Sequence, residues 1–300
     1  MAQKKSDIKR HQNFFCDLNL QRALKKSKKI KTAINNQYGS FLIYPLFKDF
    51  TIIYTNANPT IKVKKYLKKL SNKHNAIYAL SESTKVIKSF KKNSFKEFIP
   101  RATRIISLSQ SADEILANMH TKGRYNAKVA AKKGLKVTKK ININDFYSLL
   151  EKTANRDDFY INNKKYFEEL FSNISSKKIH YYGIYSEEKL IASSIVLDYK
   201  DTAYYFYGAS DHTYRNLMAP YLIQHTAILE AKKRGLKYYD FLGVSPYSPH
   251  PLDKVSEFKR KFGGQIVHFA QNKITVFKPL LFTLLIIRKS LKKAFTKKSL

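Results

Sequence analysis

The stretch "TAYYFYGASDHTYRNLMAPYLIQHTAILEAKKRGLKYYDFLGV" (residues 202–244) holds three elements in a row. The aromatic-rich run "TAYYFYGAS" reads as a strand. Pro220 then suits the first turn of a helix running to Arg234, because the first N–H groups of a helix are unpaired and proline has none to lose. Gly235 ends that helix, and "LKYYDFLGV" returns as a strand. Upstream, "IHYYGIY" and "KLIASSIVLDY" are also strands, and the connections "SEEK" and "KD" are short enough to make all three an antiparallel meander. Two helices, around residues 145–155 and 163–173, come before them. Downstream, a helix from about Asp253 to Phe262 opens after a Pro-rich loop, and two more strands, "QIVHFA" and "KITVF", flank Gln271 and Asn272.

The order β-β-β-α-β-α-β-β is that of the GNAT acyltransferase fold, and it sets a test of function that the fold alone does not decide. A GNAT enzyme that uses acyl-CoA carries Q/R-x-x-G-x-G/A before its central helix, where the glycines let backbone N–H groups approach a pyrophosphate. The corresponding stretch here is "RNLMAP" (residues 215–220). Met218 puts a bulky side chain where a glycine is wanted, and Pro220 has no N–H to donate. Acyl-CoA is therefore disfavoured, the other reading being an unusual variant of the same cradle.

In the first 140 residues, short apolar runs alternate with Lys-rich helical segments. "SFLIYPLF", "FTIIYTN", "NAIYAL" and "RIISL" read as strands and "TIKVKKYLKKL" as a helix. In "SQSADEILANMHTKGRYNAKVAAKKGLKV" (residues 109–137), Ser111 and Glu114 make a capping box, Ile115, Leu116 and Met119 form an apolar stripe, and Gly134 suits a C-terminal stop. Gly123 marks a bend or break. Past it, Arg124, Lys128 and Lys132 recur every four residues and share one face, beside an apolar face with Tyr125 and Val129. That basic face is either solvated or set against phosphates.

A chain of 300 residues suits two compact domains. Fifty-seven Lys and Arg against 22 Asp and Glu give a net charge of +35, spread along the chain, so the folded surface presents a positive field and a polyanion is its natural partner. With 43% hydrophobic and 14% aromatic residues, a disordered basic protein is excluded. Cys16 alone makes no internal disulfide, no Cys/His cluster has zinc spacing, and "MAQKKSDIKRHQNFF" lacks the apolar segment of a secretory signal, so the expected location is the cytoplasm. The apolar run "PLLFTLLII" (residues 279–287) is short of the about 20 residues a membrane span needs. With "RKSLKKAFTKKSL" behind it, it forms a basic amphipathic segment. That segment either packs on its own domain or lies on an anionic leaflet at the inner face of the membrane.

Three stretches together resemble one family. "KGRYNAKVAAKKGLKV" (residues 122–137) is similar to a K-x-R-Y-N-I-R-x-A-x-K-x-G-V segment of the FemABX family, the aminoacyl-tRNA-dependent transferases that build peptidoglycan interpeptide bridges. Residues 208–244 resemble the family's second segment and "FKRKFGG" (residues 258–264) its third, and the resemblance covers residues 98–278. No long heptad insertion lies between Val137 and His180, which implies the compact form without a coiled-coil arm. The implied fold is α+β, with two GNAT-like domains, each a mixed, mostly antiparallel sheet flanked by helices. Domain 1 would span residues 1–136, with the C-terminal helix 278–300 packing back on it. Domain 2, residues 137–277, would carry a Phe-Lys motif.

The resemblance also implies a reaction. The stem-peptide amine of a peptidoglycan precursor, lipid II or UDP-MurNAc-pentapeptide, attacks the ester that joins an amino acid to the 3′ end of tRNA. Aminoacyl-tRNA is then a co-substrate whose acyl group arrives activated, so the reaction implies no CoA, no metal and no covalent nucleophile, and no G-x-S-x-G elbow occurs. What remains is to align amine and ester and to stabilise the oxyanion. The family's Phe-Lys pair falls on Phe258 and Lys259, whose ammonium would neutralise the tetrahedral oxygen or the departing ribose oxygen. The other reading makes Lys259 one lysine of a basic helix with Arg260 and Lys261. Arg215, before a helix N-terminus, is the candidate to grip the precursor's phosphates bidentately, with Tyr221 adding a hydroxyl contact. Tyr207 either lines the groove or is an ordinary strand residue. Arg124, Lys128 and Lys132 are candidate contacts to tRNA phosphates, and Asp240 either orients or accepts a proton or makes a structural hydrogen bond. Two alternatives stay open: a GNAT acyltransferase with another donor, and a non-catalytic protein that binds RNA or a membrane surface.

Overall fold

The computed structural model describes residues 17–83, 85–87 and 101–297, with side chains described as far as Arg288. Cys16, the N-terminal stretch and the side chains of the basic tail from Lys289 onward lie outside the described residues. Along the chain run α1 (Leu18–Lys26), β1 (Thr32–Asn36), β2 (Gly39–Phe47), β3 (Phe50–Thr55), α2 (Ile61–His74), β4 (Ala76–Ser81), β5 (Val86–Ile87) and β6 (Ala102–Ser107). Four helices follow: α3 (Ala112–Ala117), α4 (Thr121–Lys132), α5 (Ile143–Asp157) and α6 (Lys164–Asn173). Then come β7 (Ile179–Ser186), β8 (Lys189–Tyr199), β9 (Thr202–Ser210), a 3₁₀ turn (His212–Leu217), α7 (Ala219–Lys233) and β10 (Tyr238–Asp240). The chain continues through α8 (Asp253–Arg260), β11 (Gln265–Phe269), β12 (Lys273–Val276) and α9 (Pro279–Lys297). Among the described residues no helix is long and apolar enough to cross a membrane.

Two compact units result, one of Met1–Ala23 with Lys85–Ala270, the other of Leu24–Thr84 with Gln271–Leu300. The smaller unit is built on a five-stranded sheet in the order β1-β2-β3-β4-β12. Thr60 caps α2 by accepting the Val63 N–H, and Asn75 closes it in the left-handed region. Between these caps, Val63, Leu67 and Leu70 recur at helical spacing and pack on Phe41, Ile43, Ile53 and Ala79 of the sheet. Each such side chain contributes about 1.5–3 kcal/mol by leaving water. Neighbouring residues of a strand face opposite ways, and Tyr78, next to Ala79, meets Phe282 of α9 at a ring separation of 5.2 Å.

In the larger unit seven strands run in the order β5-β11-β6-β10-β9-β8-β7. The expected meander is present as antiparallel β7, β8 and β9. On one face Ile223, Ala227, Ile228 and Ala231 of α7 pack against Tyr182, Ile184, Val196 and Tyr239, with α4 alongside α7. The other face carries α5 and α6, where Phe146 meets Phe167 edge-on at 5.5 Å. Two details depart from the expected order. The helical break falls at residues 118–120, where the His120 side chain accepts the Lys122 N–H and restarts the helix, so Gly123 lies inside α4. And β12 follows β11 in sequence yet pairs with β4 of the other sheet.

Candidate active site

Strands β9 and β10 run parallel over three residue pairs, from Tyr238–Thr202 to Asp240–Tyr204, and then part. Past Asp240 the chain stays with β6: the Phe241 N–H donates to Arg104 O and the Val244 N–H to Ala102 O, both at 2.9 Å. Meanwhile β9 continues beside β8 to Ser210. Divergence at the carboxyl end of parallel strands is where sheets of this kind leave room for a ligand.

A tight turn follows where the two strands part. The Asp240 carboxylate, 1% exposed, accepts the Thr103 hydroxyl and, at 2.8 Å, the Leu242 N–H. It is thus a structural hydrogen-bond acceptor that folds the chain back on itself. Leu242 and Gly243 follow in the left-handed region, with φ of 45° and 46°. A side chain there costs roughly 1–2 kcal/mol, so the turn stores strain at Leu242. Its product is a pair of consecutive carbonyls that both accept from Lys259 Nζ, the Gly243 oxygen at 2.7 Å.

Lys259 is only 7% exposed, with Nζ lying 5.7 Å from the centroid of the Tyr205 ring. Burial disfavours its charged form and lowers its pKa to about 7, against a smaller opposing pull from the Asp240 carboxylate. An ammonium carries three N–H donors. Two go to the paired carbonyls, and the third has no hydrogen-bond partner among the described residues.

The helix bearing Lys259 is fixed at both ends. At its start the Asp253 carboxylate gathers the Ser245 hydroxyl, the Ser248 hydroxyl at 3.0 Å and the His250 N–H at 2.8 Å, and these bonds lower its pKa. At its end Lys261 O accepts the His120 N–H at 3.1 Å, and Arg104 donates to Gly263 O and Gly264 O at 3.0 and 2.7 Å. Glycine is required at this junction: a Cβ on Gly123 would overlap the Lys261 carbonyl, and one on Gly263 would stand 2.5 Å from Asn118 O. The segments around Gly123 and Gly263 therefore meet backbone to backbone. The third segment joins them through Tyr221, whose ring lies 5.3 Å from Phe258 and 5.7 Å from Phe262 and whose hydroxyl accepts from Lys261 Nζ at 2.9 Å.

Tyr221 thus packs on Phe258, the neighbour of Lys259 on its helix, and the remaining candidates make other contacts. Arg215 is exposed in the 3₁₀ turn, and its guanidinium has no hydrogen-bond partner among the described residues. Just after it, Met218 is left-handed (φ 56°) and Pro220 occupies the first turn of α7. Tyr207 packs on Phe167 at 5.0 Å and donates to the Tyr166 hydroxyl, on the face covered by α6. A bulge at Phe206 breaks the two-residue alternation, so Tyr205 and Tyr207 pack against different neighbours. Arg124 donates to Ala117 O at 2.8 Å and to Met119 O, closing the end of α3, whereas Lys128 and Lys132 are exposed. The apolar face expected beside them is corrected: Tyr125 is 65% exposed, and Ala127 and Ala130 supply the buried side because only small residues fit where α4 lies against α7.

Several residues escaped the sequence reading. Thr103 and Arg104 act through partners more than a hundred positions away, and the carbonyls of Leu242 and Gly243 have no side-chain signature at all. Gly208 is the one that left a trace, a glycine inside a strand: a Cβ there would overlap the Tyr205 hydroxyl.

A mixed sheet whose parallel pair parts over a buried lysine, in a chain that also carries a second, smaller sheet, defines an α+β protein of tandem GNAT-like architecture. The chain belongs to the FemAB family, which it matches over residues 52–182 and 175–289. Among solved structures, FemX superposes with a TM-score of 0.75 at 15% identity, covering 91% of this chain and 94% of that one. L-PGS from Bacillus licheniformis superposes with a TM-score of 0.51 at 11% identity, over 88% and 90% of the two chains. The lipid II:glycine glycyltransferase of Staphylococcus haemolyticus (strain JCSC1435) is 21% identical over 59% of each sequence, so the match spans 59% of that relative's length.

Proposed function

We propose that this protein is an aminoacyltransferase that moves an amino acid from aminoacyl-tRNA to the stem-peptide amine of a peptidoglycan precursor, forming an amide. The observation that carries the reading is Lys259: a buried lysine, at the position of the family's Phe-Lys pair, held by the two carbonyls that follow the point where β9 and β10 part. Attack of the amine on the ester carbonyl builds negative charge on one oxygen, and the remaining Lys259 N–H stabilises it there or on the departing ribose oxygen. Phe258 and Tyr221 brace α8 so that the ammonium does not move as charge develops. The exposed guanidinium of Arg215 takes the precursor's diphosphate, which fits a planar donor bidentately. Lys128 and Lys132 meet tRNA phosphates.

The donor in this reading is RNA-borne and no CoA takes part; Pro220, in the first turn of α7, has no N–H to offer a pyrophosphate. Incubating the protein with a mixed aminoacyl-tRNA pool and either lipid II or UDP-MurNAc-pentapeptide, then weighing the products, should reveal one added residue. Saturating CoA should leave the melting temperature unchanged. If neither acceptor gains mass with any donor, or CoA raises the melting temperature, the proposal is wrong.

A further inference from the structure

Helix α9 is apolar on two sides, and one of them is uncovered. Phe282 packs on Tyr78, whereas Leu280, Leu284 and Ile287 are 83%, 60% and 49% exposed. Steps of four and three residues set these three on a single helical face. A stripe of this kind in water has the composition of a contact surface rather than of a solvated one. Its surroundings carry one sign of charge: the smaller unit has Asp49 and Glu82 as its acidic residues against twenty lysines and arginines, and the sequence runs on from the stripe through Arg288, Lys289, Lys292 and Lys293.

Three occupants can be weighed against that chemistry. A second copy of this chain would bring an equally positive unit against the first, and like charges oppose the contact. RNA would satisfy the lysines but leaves leucine and isoleucine in water. A bilayer with anionic headgroups takes both, the apolar side chains entering the acyl boundary while the lysines stay at the phosphates. We propose that the Leu280, Leu284 and Ile287 face of α9 docks on an anionic lipid bilayer, with the helix lying along the surface. This holds independently of the transfer reaction.

The chain contains no tryptophan, so Leu284→Trp installs a sole fluorescent reporter in the stripe. Its emission should shift to the blue, and be quenched by brominated acyl chains, on vesicles of phosphatidylcholine with phosphatidylglycerol. Phosphatidylcholine alone should act weakly and tRNA not at all. The combined variant Leu280→Gln, Leu284→Gln, Ile287→Gln should sediment with the mixed vesicles at least about tenfold less well, with melting temperature and tRNA binding retained. Three results would each overturn the proposal: no lipid-dependent shift, undiminished sedimentation of the glutamine variant, or an emission already blue in a lipid-free dimer. The last would assign the face to a second copy. Should the glutamine variant fail to fold, the fluorescence of Leu284→Trp still decides.

Discussion

A buried ammonium is tolerated only where oxygens replace its water. For Lys259 those oxygens come from Leu242 and Gly243, whose backbone enters the left-handed region to supply them. Its folded pKa of about 7 lies below the unfolded value of about 10.4, so between these limits the folded state holds fewer protons and stability rises with pH. Lys259→Met lacks that dependence. The wild type should therefore gain stability relative to Lys259→Met as pH rises from about 7 towards 10, read as melting temperatures across that range; a constant gap would contradict a buried charge. Activity should follow the same group: Lys259→Met is expected to lose about a hundredfold or more in kcat/KM below pH 7. The deficit should narrow above it, with tRNA affinity unchanged throughout. Sequence set Lys259 beside Arg260 and Lys261 and could rank them only by resemblance. Phe258 and Phe262, four residues apart, share one face of the helix, but what separates the three cations is a pair of backbone carbonyls that no side-chain pattern encodes.

Elements were legible where their signals are local. The capping box of Ser111 and Glu114 forms as read, both of its hydrogen bonds lying within four residues. Tyr207 was ambiguous for the opposite reason: strand alternation groups it with Tyr205 until one extra residue, Phe206, turns it towards α6, and bulges leave little mark in a sequence. The spacing of Arg124, Lys128 and Lys132 was equally silent about which cation is spent internally. Because Arg124 ties α3 to α4 through backbone carbonyls, Arg124→Ala should destabilise the fold by about 1–3 kcal/mol, measured by denaturant unfolding. Lys128→Ala with Lys132→Ala should leave stability within about 0.5 kcal/mol and instead flatten the salt dependence of tRNA binding by roughly one to two units of slope. An unfolding midpoint that moves with the lysines and not with Arg124 would reverse these roles.

At the scale of the molecule, charge and element order were the readable features, and sheet membership was not. A net charge of +35 predicts that tRNA binding weakens by about a thousandfold or more between roughly 50 and 200 mM salt, and a titration with little salt dependence would remove the polyanion from the account. The order of strands could not disclose that β12 abandons its neighbour β11 for β4, since that choice is made by a surface laid down much earlier in the chain. A strand synthesised early therefore waits on the ribosome with one row of N–H and C=O groups unclosed while residues 85–270 of the larger unit are made. Translation direction thus gives the newest residues the task of sealing the oldest sheet, and a nascent chain stalled before β12 would offer β4 to any passing strand.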